Sequence, residues 1–173
     1  MALEATKVNW PYERTWRCYD PFKSFLSALG FTVYPVEFDC VNSKHPLVDI
    51  AAKMGPFYWA FEYKSQNDNV SRGLDQLQCY AEWFDYVVLV SEHIFDHRSS
   101  ENYWHLKHLG AGIWFYHPEQ DKCIQKCNPE IQSPSARNRS VIARRFTKLS
   151  LVKHRLAIKE GLDQRLDFWA FVS

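Results

Sequence analysis

No stretch of this chain stays apolar long enough to cross a bilayer, so no membrane span is expected. No apolar run follows Met1-Ala-Leu-Glu either, which argues against a signal peptide. Cysteine is scarce: five, odd in number and scattered, which speaks against a disulfide framework and for a reducing, cytoplasmic location. Nor does one sign of charge dominate. Lys and Arg number 21 against 20 Asp and Glu, for a formal net charge of +1, so the overall balance makes no case for a polyanionic partner. What is present is a 173-residue chain of one-domain length, with ordinary hydrophobic content and a high aromatic share of 16%.

Chemistry concentrates between Pro46 and Tyr80. Residues Leu47 to Ala52 and Phe57 to Lys64 are predicted strands, with Gly55-Pro56 as the turn between them. Alternation along the second strand puts Tyr58, Ala60, Glu62 and Lys64 on one side. Asp49 interrupts the apolar run LVDIAA, and pairing about the turn brings it near Glu62. A carboxylate inside an apolar strand is costly unless it is paired or meets a cation. Two carboxylates and a lysine can hold a hard divalent cation and position a water for attack on a phosphodiester. The bland reading of the same residues is a solvent-facing Glu62–Lys64 ion pair, with Asp49 capping a bulge.

Asp49 followed by Glu62-Tyr63-Lys64 resembles the D…(D/E)xK signature of the PD-(D/E)xK nuclease superfamily, which includes restriction endonucleases, Holliday-junction resolvases and RecB-like nucleases. Gln76-Leu-Gln-Cys-Tyr80 is similar to the Q-x3-Y motif that follows the lysine in RecB-like nucleases. No proline precedes Asp49, which departs from the family's short name. The resemblance covers roughly residues 12 to 117. It implies that Asp49 and Glu62 are metal ligands for Mg²⁺ or Mn²⁺, and that Lys64 orients the attacking water or stabilises charge. It also implies that Gln76 and Tyr80 position DNA or order the site. A further acid often lies upstream in this superfamily; Glu13 is the helical candidate and Glu37 the strand candidate.

Asp20-Pro21 reads as the N-cap and first residue of a helix over PFKSFLSALG, with Phe22, Phe25, Leu26 and Leu29 as its apolar stripe. Phe31 to Cys40 is the expected first strand, with Pro35 marking an edge or bulge. Ser71 is the N-cap candidate for a helix with Leu74, Leu77, Ala81 and Phe84 buried. Tyr80 borders that stripe, and Gln76 lies further round beside Arg72. A buried strand over Tyr86 to Val90, helical potential from His93 to Leu109, and a strand at IWFYH follow. The expected fold is α/β; the order of elements matches the restriction-endonuclease-like αβββαβ core, and that resemblance implies a mixed sheet flanked by helices. Residues 1–118 form the nuclease-like core, and 119–173 form a basic, partly helical C-terminal extension.

Early aromatics such as Trp10 and Trp16 could stack on unpaired bases, although packing at the core edge explains them as well. Cys18, Cys123 and Cys127 are too few for a four-thiolate cluster, and His93, His97, His105 and His108 read as surface histidines rather than a zinc set. The extension carries Arg137, Arg139, Arg144, Arg145, Lys148 and Lys153 with no acid until Glu160. That local excess suits phosphate neutralisation, and Arg72 joins the same candidate DNA-contact set. The reading is a metal-dependent DNA nuclease with DNA as partner, no membrane, and homodimerisation left open. The alternatives are a non-catalytic DNA-binding module of the same fold, or a structural or assembly protein with a basic arm.

Overall fold

Gly55 turns the chain with φ of 56°, a conformation in which a side chain is strained, and the flanking strands pair back from that point. The computed structural model describes residues 19–35, 37–38, 47–65, 68–92 and 101–150. Strand β3 spans Phe57–Lys64, as the alternation predicts. Its antiparallel partner β2 spans Ile50–Met54, starting later than the expected Leu47. The reason is Asp49, which lies in a bend: its Oδ2, rather than a strand carbonyl, accepts the Tyr63 N–H at 2.9 Å. The predicted first strand shrinks to β1, Thr32–Val33, with an isolated bridge between Phe38 and Val48. Pro35 falls at a bend between these pairings, after the Tyr34 N–H has bonded the Ala51 carbonyl, at an edge-strand position where the ladder needs no donor.

Helix α1 spans Asp20–Ala28 and buries Phe22 and Leu26. Its N-cap is Tyr19, without a side-chain cap bond, so the expected cap Asp20 instead sits in the first turn, where a carboxylate meets the positive end of the helix dipole. Helix α2 spans Val70–Ala81, and its cap is Asn69, whose side chain accepts from the Ser71 N–H at 2.8 Å. Asn69 therefore takes the role expected of Ser71. The buried face of α2 is Gly73, Leu77 and Tyr80, rotated from the predicted stripe; Leu74 and Ala81 are only partly buried. Strand β4 (Tyr86–Ser91), helix α3 (Glu101–His108) and strand β5 (Gly112–His117) follow. The part of the predicted third helix over residues 93–100 lies outside the described residues. A short turn then leads into β6 (Lys122–Cys127), antiparallel to β5. Residues 136–150 are helical and are called α4.

The result is α/β: a six-stranded mixed sheet in the order β1 to β6, flanked by helices. Strands β3, β4 and β5 are parallel and joined through α2 and α3, while the outer pairings are antiparallel. One face packs Leu77 and Tyr80 of α2, Leu106 of α3, and Ile142 and Phe146 of α4 over Ala60, Leu89 and Phe115. The other packs Phe22 and Leu26 of α1 over Ile50, Phe61, Tyr63 and Val90. Each fully buried Phe or Leu stabilises by roughly 1.5–3 kcal/mol, so α4 is held by its two anchors as part of the core. Among the described residues no helix is long and apolar enough to cross a membrane.

Candidate active site

At the C-terminal end of β3, alternation aims Glu62 and Lys64 at α2, and both are buried. Lys64 Nζ donates to Glu62 Oε1 at 2.5 Å and to Gln76 Oε1 at 3.2 Å. Gln76 Nε2 reaches the Tyr80 hydroxyl at 3.4 Å, a long contact from the neighbouring turn of α2. Tyr80 is 1% exposed, so it belongs to the core rather than bordering it. The five residues the sequence singles out thus fall into one cluster: Asp49 in the bend before β2, Glu62 and Lys64 on β3, Gln76 and Tyr80 on α2.

The Tyr80 hydroxyl lies 2.6 Å from the Leu47 carbonyl oxygen and 2.8 Å from Glu62 Oε2. Its one proton serves one acceptor at a time; a proton on Glu62 satisfies the other contact. The electrostatics agree. Burial, and then the Asp49 charge, push the Glu62 carboxyl up to about 7, against the opposing pull of Lys64 and Tyr80. Burial pushes Asp49 up to about 6, while the Tyr63 N–H, Lys64 and a hydrogen bond with Tyr19 oppose the shift. Glu37 also raises Asp49 by its charge, which places this upstream acid within electrostatic reach of the cluster. Glu13 lies outside the described residues.

Asp49 and Glu62 therefore stand as two partly desolvated, mutually repelling carboxylates beside one lysine. Mg²⁺ is commonly held by one or two carboxylates together with waters and substrate phosphate, and this donor set fits that habit. Among the described residues no group of three or more His, Cys, Asp or Glu could by itself hold a metal ion. Any cation here would depend on Asp49 and Glu62, with water and substrate oxygens completing its shell.

Two residues outside the motif complete the site. Gly73 faces β3 so closely that a Cβ there would lie 2.9 Å from Lys64 Cε and 3.1 Å from Leu89 Cδ1. A glycine inside a helix is the sequence signal for such an approach. Tyr19 hydrogen-bonds Asp49 from the start of α1, a role no local pattern announces.

The basic candidates separate. Arg72 is exposed on the first turn of α2, with the Asp68 carboxylate close enough to feel its charge. Arg139 Nε lies 3.2 Å from Asp85 Oδ1, and its Nη2 donates to the Pro56 carbonyl at 3.1 Å, so this side chain ties α4 to the sheet. The Arg145 guanidinium sits 4.8 Å from the Phe38 ring centre. Arg137, Arg144 and Lys148 are exposed, and Lys153 lies outside the described residues. His105 and His108 are exposed on α3, and Cys79, Cys123 and Cys127 are free thiols. His93, His97, Cys18 and Cys40 fall outside the described residues.

No family model matches this chain, and no curated protein matches it. Among solved structures, an XisH family protein from Nostoc punctiforme is similar with a TM-score of 0.46 at 16% identity, over 66% of this chain and 99% of that chain.

Proposed function

We propose that the chain is a metal-dependent deoxyribonuclease of the PD-(D/E)xK type, hydrolysing phosphodiester bonds with Mg²⁺ or Mn²⁺. The observation that carries the reading is the convergence of Asp49, Glu62 and Lys64 at one end of the β2–β3 hairpin, with Gln76 and Tyr80 bonded into the same cluster. Asp49 and Glu62 hold the cation. A cation bound there supplies charge neutralisation at the phosphate and a more acidic water. Lys64, fixed between Glu62 and Gln76, presents an ammonium toward the developing charge and limits where a water can sit. Tyr80 fixes the rotamer of Glu62, and Gln76 that of Lys64. Exposed Arg137, Arg144 and Lys148, with Arg72, are the side chains offered to phosphates.

One observation favours a second reading, a DNA-binding module of this fold without turnover. Both Glu62 oxygens are already hydrogen-bonded inside the protein, and Glu62 is 1% exposed. In that case the cluster is a structural ion pair. Incubating circular and linear DNA with the protein, with and without Mg²⁺ or Mn²⁺, decides between them. Metal-dependent cleavage of either substrate supports the nuclease; binding without cleavage under every metal condition supports the module. Cleavage of the circle marks an endonuclease, and cleavage confined to the linear form marks an exonuclease.

A further inference from the structure

The face of the sheet that carries α1 is only partly covered among the described residues, because α1 packs its anchors on Ile50, Phe61, Tyr63 and Tyr116. Toward the opposite end of β3 from Lys64 this face opens into a cleft of about 390 Å³. Four aromatic side chains, Phe31, Trp59, Tyr86 and Trp114, line it beside the apolar Leu29, Met54 and Pro129. Trp59 stacks on Tyr86 with ring centres 4.3 Å apart, and Phe31 meets Trp59 edge to face at 5.3 Å. Two carboxamides, Gln125 on β6 and Asn128 just after it, lie on the exposed rim. Among the described residues no Asp, Glu, Lys, Arg or His lines the cleft.

We infer that this cleft binds an unpaired nucleobase. Each feature of the lining narrows the ligand. Absence of charge selects against a phosphate or carboxylate within the cleft and for a neutral group. The half-buried rings of Trp59 and Tyr86 favour a flat ring, since stacking on aromatic faces is how unpaired bases are commonly held. The carboxamides each carry a donor and an acceptor, the complement of a base edge, and a plain arene has no use for them.

The cleft is separate from the Asp49–Glu62–Lys64 cluster. Trp59 lies three positions before Glu62, about 10 Å along the strand at 3.3 Å per residue, and its side chain points to the other face of the sheet. The inference therefore does not rest on cleavage chemistry.

The test uses the full chain and free nucleosides, which are uncharged, so the basic side chains of α4 cannot draw them in. Binding is followed by calorimetry and by saturation transfer to the ligand protons. Saturable binding of at least one nucleoside at millimolar concentration is expected. Gln125→Ala and Asn128→Ala change exposed rim residues, so the fold should survive, and each should weaken the nucleoside by about tenfold, the discrimination of one good base-edge contact. Trp59→Leu should abolish binding, with circular dichroism checking that the sheet is retained. Asp49→Asn should leave nucleoside affinity unchanged. The inference is overturned if no nucleoside saturates, if naphthalene binds as tightly as the best nucleoside, or if both rim variants keep full affinity.

Discussion

A carboxylate at position 49 is useful because the backbone bends there. In a regular strand the Tyr63 N–H would pair with a β2 carbonyl; here the Asp49 side chain takes that donor and is pinned beside Glu62. The same economy governs Tyr80, whose one hydroxyl meets the Leu47 carbonyl and Glu62. Tyr80→Phe keeps the ring but removes the one hydroxyl that meets both the Leu47 carbonyl and Glu62, so it should cost about 1–3 kcal/mol by denaturant unfolding and also lower cleavage. Gly73→Ala is the sharper probe of position. Alanine is the better helix former by about 1 kcal/mol, yet its Cβ would displace Lys64 from 2.9 Å away. Near wild-type stability with strongly reduced cleavage is the expected result, read by unfolding and nuclease assay together. Asp49, Glu62, Lys64 and Gln76 are legible in the sequence because strand alternation and helical spacing are local. The burial of Tyr80 and the Gly73–Lys64 contact are not, because they depend on how closely α2 is laid on β3.

Among the elements, β3 is legible to the residue because Gly55-Pro56 bounds one end and polar residues bound the other. Strand β2 begins late because Asp49 leaves the ladder, and β1 ends where the chain bends at Pro35. The caps at Tyr19 and Asn69 each fall before the residue that composition favours, a shift decided by backbone geometry. Helix α4 shows how a basic stretch divides its labour. Arg139 and Arg145 reach back to Asp85 and the Phe38 ring, whereas Arg144 and Lys148 are exposed, with Ile142 and Phe146 turned to the core. If α4 contacts duplex DNA, the double variant Arg144→Ala/Lys148→Ala should fold normally and bind with a salt dependence flattened by about 0.9 per lost phosphate contact. Binding isotherms across a salt series measure that slope, and an unchanged slope takes these residues off the DNA.

For the whole molecule, the α/β class and the order of elements follow from periodicity. The docking of α4 does not, because only its contacts with Tyr34, Phe38 and Tyr58 reveal where Phe146 goes. The raised carboxyls of Asp49 and Glu62 act on the entire fold. Their ordinary values of 3.8 and 4.5 rise to about 6 and about 7, so the folded chain holds these protons more tightly than the unfolded one. The stability this adds is fully present below the unfolded values and is lost as pH rises through about 6 and 7. Asp49→Asn should accordingly melt higher than wild type at pH above about 7, with the gap closing toward pH 4. Cleavage should move the opposite way, climbing through the same interval, because a cation needs both carboxylates ionised.

We propose that Asp49 and Glu62 share a divalent cation while Lys64 serves the chemistry. This is tested most directly by measuring Mn²⁺ affinity and DNA cleavage on the same three proteins: wild type, Asp49→Asn and Lys64→Ala. Asp49→Asn should lose both metal affinity and cleavage while still binding DNA without metal. Lys64→Ala should keep the metal and lose cleavage by about 10²-fold or more. Wild-type protein that binds DNA, takes up no Mn²⁺, cuts no substrate and matches Asp49→Asn in every assay would contradict it.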